Sequence, residues 1–218
     1  MNWFQKLTGL EQESEANVRQ YLFAGDGVLK SNANGSSDGY GNLEVVALRE
    51  LRKRVSEDQG SEGTEASLRK ISVRETVANV QDLHKETHNE NSIFQVASQF
   101  NLLEMVGPGV IPEAGVGIYE KDFTQGPACA VAAGAATIYR NYFVEIDGEI
   151  GQTAGRQIDT LNDLGELLGN RNERLWRMQN GYALASASGL AEISAHIANA
   201  TEGELDCLRD ALRIGLQW

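Results

Sequence analysis

From Ile93 to Phe143 the chain passes from a compact apolar run into an amide-rich continuation, then a glycine loop, then a helix. The run is Ile93-Phe-Gln-Val-Ala-Ser98, continuing to Gln99 and Asn101. Glycines follow at 107, 109, 115 and 117, and Asp122-Phe-Thr-Gln-Gly-Pro-Ala-Cys129 heads an alanine-rich stretch. Strand end, loop with exposed backbone and helix N-terminus are the parts from which an α/β protein builds a pocket for an anion or nucleotide. An ordinary surface loop would also join a strand to a helix. The crowding of polar amide groups at one strand end favours the pocket.

Length and charge narrow the setting. At 218 residues the chain fits one α/β domain with a substantial core. The 19 Lys and Arg against 31 Asp and Glu give −12, which argues against sequence-independent binding to nucleic acid or to an anionic membrane. A small anionic ligand stays compatible with it, because helix dipoles and single arginines act locally. Cys129 and Cys207 lie far apart and imply no disulfide framework. No signal-peptide core opens the chain and no run reaches membrane-spanning length, so a cytoplasmic setting is expected.

Periodicity and turn chemistry predict alternating strands and helices. Residues 1–16 form a short helix or arm, and Val18–Ala24 a strand closed by Gly25-Asp-Gly27. Residues 31–41 are a turn-rich loop. Asn42 caps a helix over Leu43–Val55, and residues 56–66 make a flexible acidic loop. Ile71, Val73 and Val77 alternate like a strand. Ile93–Ser98 is an inner strand, and a helix runs from Pro127, at its first position, to about Phe143. A hairpin turns at Asp147-Gly148. Arg156–Leu168 is amphipathic, Tyr182–Ala187 is a strand and Leu190–Ala198 a helix. Thr201 with Glu204 forms a capping box, and Gly215 stops the last helix. The sum is α/β, a mixed sheet flanked by helices in a single domain.

Over about residues 70–143 the chain resembles a macrodomain, the ADP-ribose-binding fold shared with poly(ADP-ribose) glycohydrolases. Val77-Ala-Asn-Val80 stands where macrodomains carry Gly-Asp-Ile. Asn101 stands where their asparagine holds the distal ribose. Gly107-Pro-Gly109 and Gly115-Val116 match the loop around ribose and phosphates. Asn79 replaces the aspartate that reads adenine, and the loop from Leu102 to Gly117 is longer than usual. A second phosphate loop after a late strand is lacking before Trp218, which on this resemblance makes the chain a short or truncated member. The resemblance implies a macrodomain-like fold that binds ADP-ribose or a related NAD-derived nucleotide, free or on an ADP-ribosylated protein, and can hydrolyse it, without a cofactor. The ligand-binding set it implies is Asn79, Gln99, Asn101, Glu104, Gly107, Gly109, Gly115, Val116, Gly117, Tyr119, Thr124, Gln125 and Gly126.

Cleaving a glycosidic bond needs a carboxyl to protonate the leaving group or activate water. Glu104, Glu113, Glu120 and Asp122 are within the loop's reach, and Asp122 and Glu113 are the first candidates. Asp122 could equally be a helix cap. Cys129 near the head of the helix, with Gln125 as an oxyanion donor, opens a cysteine-hydrolase alternative, against which stands a small buried thiol among alanines. A non-catalytic interaction protein of the same fold is the other alternative. His84 and His88 have chelating spacing, but Asn89-Glu-Asn91 suggests a solvated turn. Arg140 and Arg156 could meet phosphates or simply anchor the hairpin.

Overall fold

Three two-residue turns set the local sheets. Asp26-Gly27, Asp147-Gly148 and Asn180-Gly181 all hold positive φ at both positions (49° and 74°, 53° and 81°, 47° and 79°), the backbone that joins twisted antiparallel strands with least splay. The structure, a computed structural model, describes residues 1–61, 71–96 and 98–218. In chain order come α1 (Trp3–Thr8), α2 (Glu15–Tyr21), β1 (Leu22–Gly25), β2 (Val28–Ser31), β3 (Ser37–Gly39), β4 (Leu43–Ala47) and α3 (Leu48–Ser61). Then follow α4 (Val80–Lys85), α5 (Gln125–Ala133), α6 (Ala135–Tyr142), β5 (Glu145–Ile146), β6 (Glu149–Ile150) and α7 (Asn162–Leu168). The chain closes with β7 (Trp176–Gln179), β8 (Tyr182–Ala185), α8 (Ala187–Asn199), α9 (Glu202–Asp210) and β9 (Arg213–Gln217).

Among the described residues the sheets are small and antiparallel: β1-β2-β3, β4-β9, β5-β6 and β7-β8. The single mixed sheet expected from the sequence does not form among the described residues. Ile93–Val96 is irregular and Ile93 is 97% exposed, so the expected inner strand is absent there; Ala97 lies outside the described residues. Apolar content alone does not make a strand when no neighbour offers a ladder. Ile71, Val73 and Val77 likewise lie exposed in irregular chain. The expected acidic loop is helical through Ser61 in α3, and residues 62–66 lie outside the described residues.

Other boundaries moved for identifiable reasons. Leu43–Ala47 is a strand rather than a helical turn, because Leu43↔Gln217 through Ala47↔Arg213 pairs it with the chain's last strand. The same pairing makes Gly215 a strand residue. Residues 15–21 are helical, started by Ser14, whose hydroxyl accepts from Asn17 N at 3.2 Å. The helix expected to run on to Phe143 breaks at Gly134, whose φ 53° and ψ −107° suit only glycine. The Thr201–Glu204 capping box forms with both of its bonds.

Two apolar clusters hold the elements. The larger gathers Phe4, Leu22, Leu29, Leu103, Met105, Tyr119 and Ile138 between α1, the β1-β2 hairpin, the 103–119 loop and α6. The smaller is Leu161, Leu175 and Trp176, with Phe100, Ile193 and Leu212 packed on it. No helix among the described residues is long and apolar enough to cross a membrane.

Candidate functional site

The long connection from Gln99 to Thr124 is irregular, so its backbone amides and carbonyls have to be satisfied one at a time. Glu13, from the segment between α1 and α2, satisfies two of its amides. Its carboxylate accepts from Val116 N at 2.7 Å and Gly117 N at 2.8 Å, and from Tyr142 Oη at 2.8 Å. A Cβ on Gly115 or Gly117 would lie within 2.5–2.7 Å of that carboxyl, so both positions need glycine. Backbone at Gly115–Gly117 therefore does cradle an anion, but the anion is the chain's own. Burial pushes the Glu13 carboxyl up, with Val116, Gly117 and Tyr142 pulling it back.

The rest of the loop is tethered to the β7-β8 turn. Pro108 O accepts from Gln179 Nε2 at 2.9 Å and Asn180 Nδ2 at 2.7 Å, which occupies the Gly107-Pro-Gly109 corner. Asn101 is turned inward and 0% exposed. It accepts from Leu103 N at 3.0 Å and donates to Gln157 Oε1 at 2.9 Å, and Gly181 packs flat on its amide. A ribose cannot reach it there, which corrects the role the resemblance implied. Val116 and Tyr119 are also buried; Tyr119 Oη accepts from Glu104 N at 3.1 Å.

The expected acid–base pair is split apart. Glu113 holds Ala154 N between its two oxygens (2.9 and 3.1 Å). Asp122 accepts from Thr124 N and Thr124 Oγ1 (2.8 and 2.6 Å), which form the turn into α5 and hold its carboxyl below the usual range. Glu113 is exposed and Asp122 half-buried, and both are internally engaged. Asn79 caps α4 through Gln81 N at 2.9 Å. His84 stacks on Phe94, and His88 pairs with Glu86. Arg140 donates to Leu102 O, Thr137 and Gln217, while Arg156 donates to Gly151 O, so neither guanidinium is free for a phosphate.

Gln99, Glu104, Thr124, Gln125 and Gly126 do come together. With Ser98, Phe100, Pro127, Gly181, Tyr182 and Ala183 they line one open cleft of about 560 Å³. Its floor is Glu104, 5% exposed, whose carboxyl is pushed up to about 7 by burial, with the Ser98 hydroxyl and the Arg140 charge acting the other way. One wall is the head of α5. The other is the β7-β8 turn, which Phe100 N reaches through Gly181 O at 2.8 Å. The other six members were not in the expected set, and of these Gly181 and Tyr182 come from the hairpin that forms the second wall. Asn180-Gly181 is a readable hairpin signal, but its docking beside Phe100 is a long-range pairing that no local pattern encodes.

Cys129 is the fifth residue of α5, two residues further in than the sequence suggests, because the helix opens at Gln125 and not at Pro127. Gln125 Nε2 lies 3.6 Å from its Sγ. Burial raises the thiol, against the pull of Gln125. No family model, no curated protein and no solved structure matches this chain.

Proposed function

We propose that the cleft between the 98–104 segment, the head of α5 and the β7-β8 turn binds a small nucleotide of the ADP-ribose type or a related NAD-derived nucleotide. Glu104 serves as the acid–base group that hydrolyses its glycosidic bond. The observation that carries this reading is Glu104 itself, a carboxyl almost fully buried at the cleft and held near 7. A general acid works best with its pKa near the working pH, and losing solvent is what brings the Glu104 carboxyl into that range. Catalysis thus passes from Asp122 and Glu113 to Glu104. The macrodomain resemblance supports the choice of ligand. The small antiparallel sheets, the inward Asn101 and the Glu13-filled loop are what a macrodomain-like account of the fold has to accommodate.

Calorimetry of the full chain against ADP-ribose and NAD, with turnover of an ADP-ribosylated protein, tests it. At least one nucleotide should bind, and Glu104→Gln should cut turnover by about 10²–10⁴-fold while leaving binding nearly unchanged. If the unaltered protein binds none of them, the non-catalytic interaction reading takes over.

The Gln125–Cys129 contact favours a second reading, a cysteine hydrolase with Gln125 as the oxyanion donor. The raised thiol weighs against it, and no imidazole bonds to Cys129 among the described residues. Rapid iodoacetamide labelling at neutral pH, with Cys129→Ala abolishing turnover, would transfer the chemistry to the thiol.

A further inference from the structure

Glu104 reaches the cleft from a turn that the protein has to hold in place. Leu102, two residues before it, sits at φ 61°, a conformation that a bulky side chain adopts only where its surroundings impose it. The last strand, β9, holds this turn at two points. Leu102 lies against Gly215, where a Cβ would come within 2.7 Å of Leu102 Cδ1. Leu102 O accepts from Arg140 Nε at 3.0 Å, and Arg140 donates in turn to Gln217 Oε1 and, at 3.1 Å, to Thr137 Oγ1. Gln217 Nε2 donates to Tyr40 O at 3.0 Å, which keeps its amide oxygen towards the guanidinium.

Arg140 is half-buried and its hydrogen-bond acceptors are all neutral. None of the arginine ion pairs among the described residues includes it. Its charge and that of Glu104 nevertheless act on each other. The other groups around the carboxyl are the Ser98 hydroxyl, Tyr119 of the loop, Cys129 of α5 and Tyr182 of β8. Burial holds the proton on the last three, so Arg140 is the cation of the set.

We propose that Gly215 and Gln217 of β9 are positioning residues for Glu104: Gly215 seats Leu102 so that the turn delivers the carboxyl to the cleft floor, and Gln217 aims Arg140 at it from behind. This rests on the reading that Glu104 is the acid–base group of the cleft. A strand that lines no part of the cleft thus sets the proton within it. The two supports act in opposite directions. Gln217→Glu puts a carboxylate on Arg140, cancels its pull and adds a repulsion, so Glu104 ionises less readily. Gly215→Ala pushes away the flexible end of Leu102 and lets water reach the carboxyl, so Glu104 ionises more readily.

An NMR titration of the Glu104 carboxyl carbon in the full chain reads both. The midpoint should rise by about half a pH unit or more in Gln217→Glu and fall by about as much in Gly215→Ala. Arg213→Ala breaks the ion pair with Asp163 in the same strand and should leave the midpoint unchanged. If one of the first two variants does not fold, the other decides against Arg213→Ala. Midpoints that stay at the parent's value, or that move the same way in all three variants, overturn the positioning role and leave the ligand reading intact; β9 then serves the fold alone. Opposite shifts in a protein that binds neither ADP-ribose nor NAD uphold the positioning role and overturn the ligand. A parent midpoint in the ordinary range of about 4–5 overturns both.

Discussion

Buried polar side chains divide here into those that build the loop and the one placed to act. Asn101 belongs to the first group. Asn101→Ala leaves Leu103 N buried without an acceptor and frees the half-buried Gln157, and should cost about 1–3 kcal/mol of stability by chemical denaturation, the range for one unsatisfied buried group. Glu104 belongs to the second, and its position has a pH signature. Its carboxyl rises from 4.5 to about 7 on folding, so the folded state binds the extra proton. The associated stability is fully present below about 4.5 and is lost as pH rises through about 7, on the order of 3 kcal/mol in all. Glu104→Gln should therefore gain on the wild type steadily between pH 5 and pH 8. The comparison has to be made as that difference, since Glu13 runs in the same direction and Asp122, whose carboxyl is lowered, in the opposite one.

At the scale of elements, the break between α5 and α6 aims the helix head at the cleft. Gly134 sits at φ 53°, ψ −107°, with Leu7 Cδ1 3.1 Å from where a Cβ would be. Gly134→Ala should cost about 1–3 kcal/mol, read from urea denaturation, and weaken ligand binding along with it. Local signals were legible wherever the interaction is itself local: the Asp147-Gly148 turn and the Thr201–Glu204 box could both be seen in the sequence, whereas α5 opens two residues ahead of the Pro127 start that the sequence predicts. Gln99 and Glu104 entered the expected site through the macrodomain resemblance, not through a local signal, and they meet the head of α5 only across the long connection between them. What was not legible depends on distant partners. Leu43–Ala47 becomes a strand only because Arg213–Gln217 returns to it. The glycines at 115 and 117 announce a close approach of an anion, but nothing in their neighbourhood says that Glu13, a hundred residues earlier, provides it. Asn101 and Glu104 are three positions apart and equally polar. Which of them faces the cleft is decided by the docking of the β7-β8 turn.

Among the described residues, two apolar clusters stand in place of one central sheet, and residues 71–96 join neither. Around Arg74 the described backbone makes no hydrogen bond and Val73 and Val77 stand exposed. Limited trypsin digestion should therefore cut after Arg74 well before Arg140 or Arg177, and mass spectrometry of the first fragments reads this out. The cleft lies in the part that stays intact, formed where the larger cluster's loop meets the smaller cluster's hairpin. Its function turns on one proton. The most direct measurement is an NMR titration of the Glu104 side-chain carboxyl carbon, assigned by loss of its signal in Glu104→Gln, with and without NAD or ADP-ribose. A midpoint near 7 in the free protein, moved by the nucleotide that binds, is the result expected. A midpoint in the ordinary range of about 4–5, indifferent to every nucleotide, would contradict an acid–base site in this cleft.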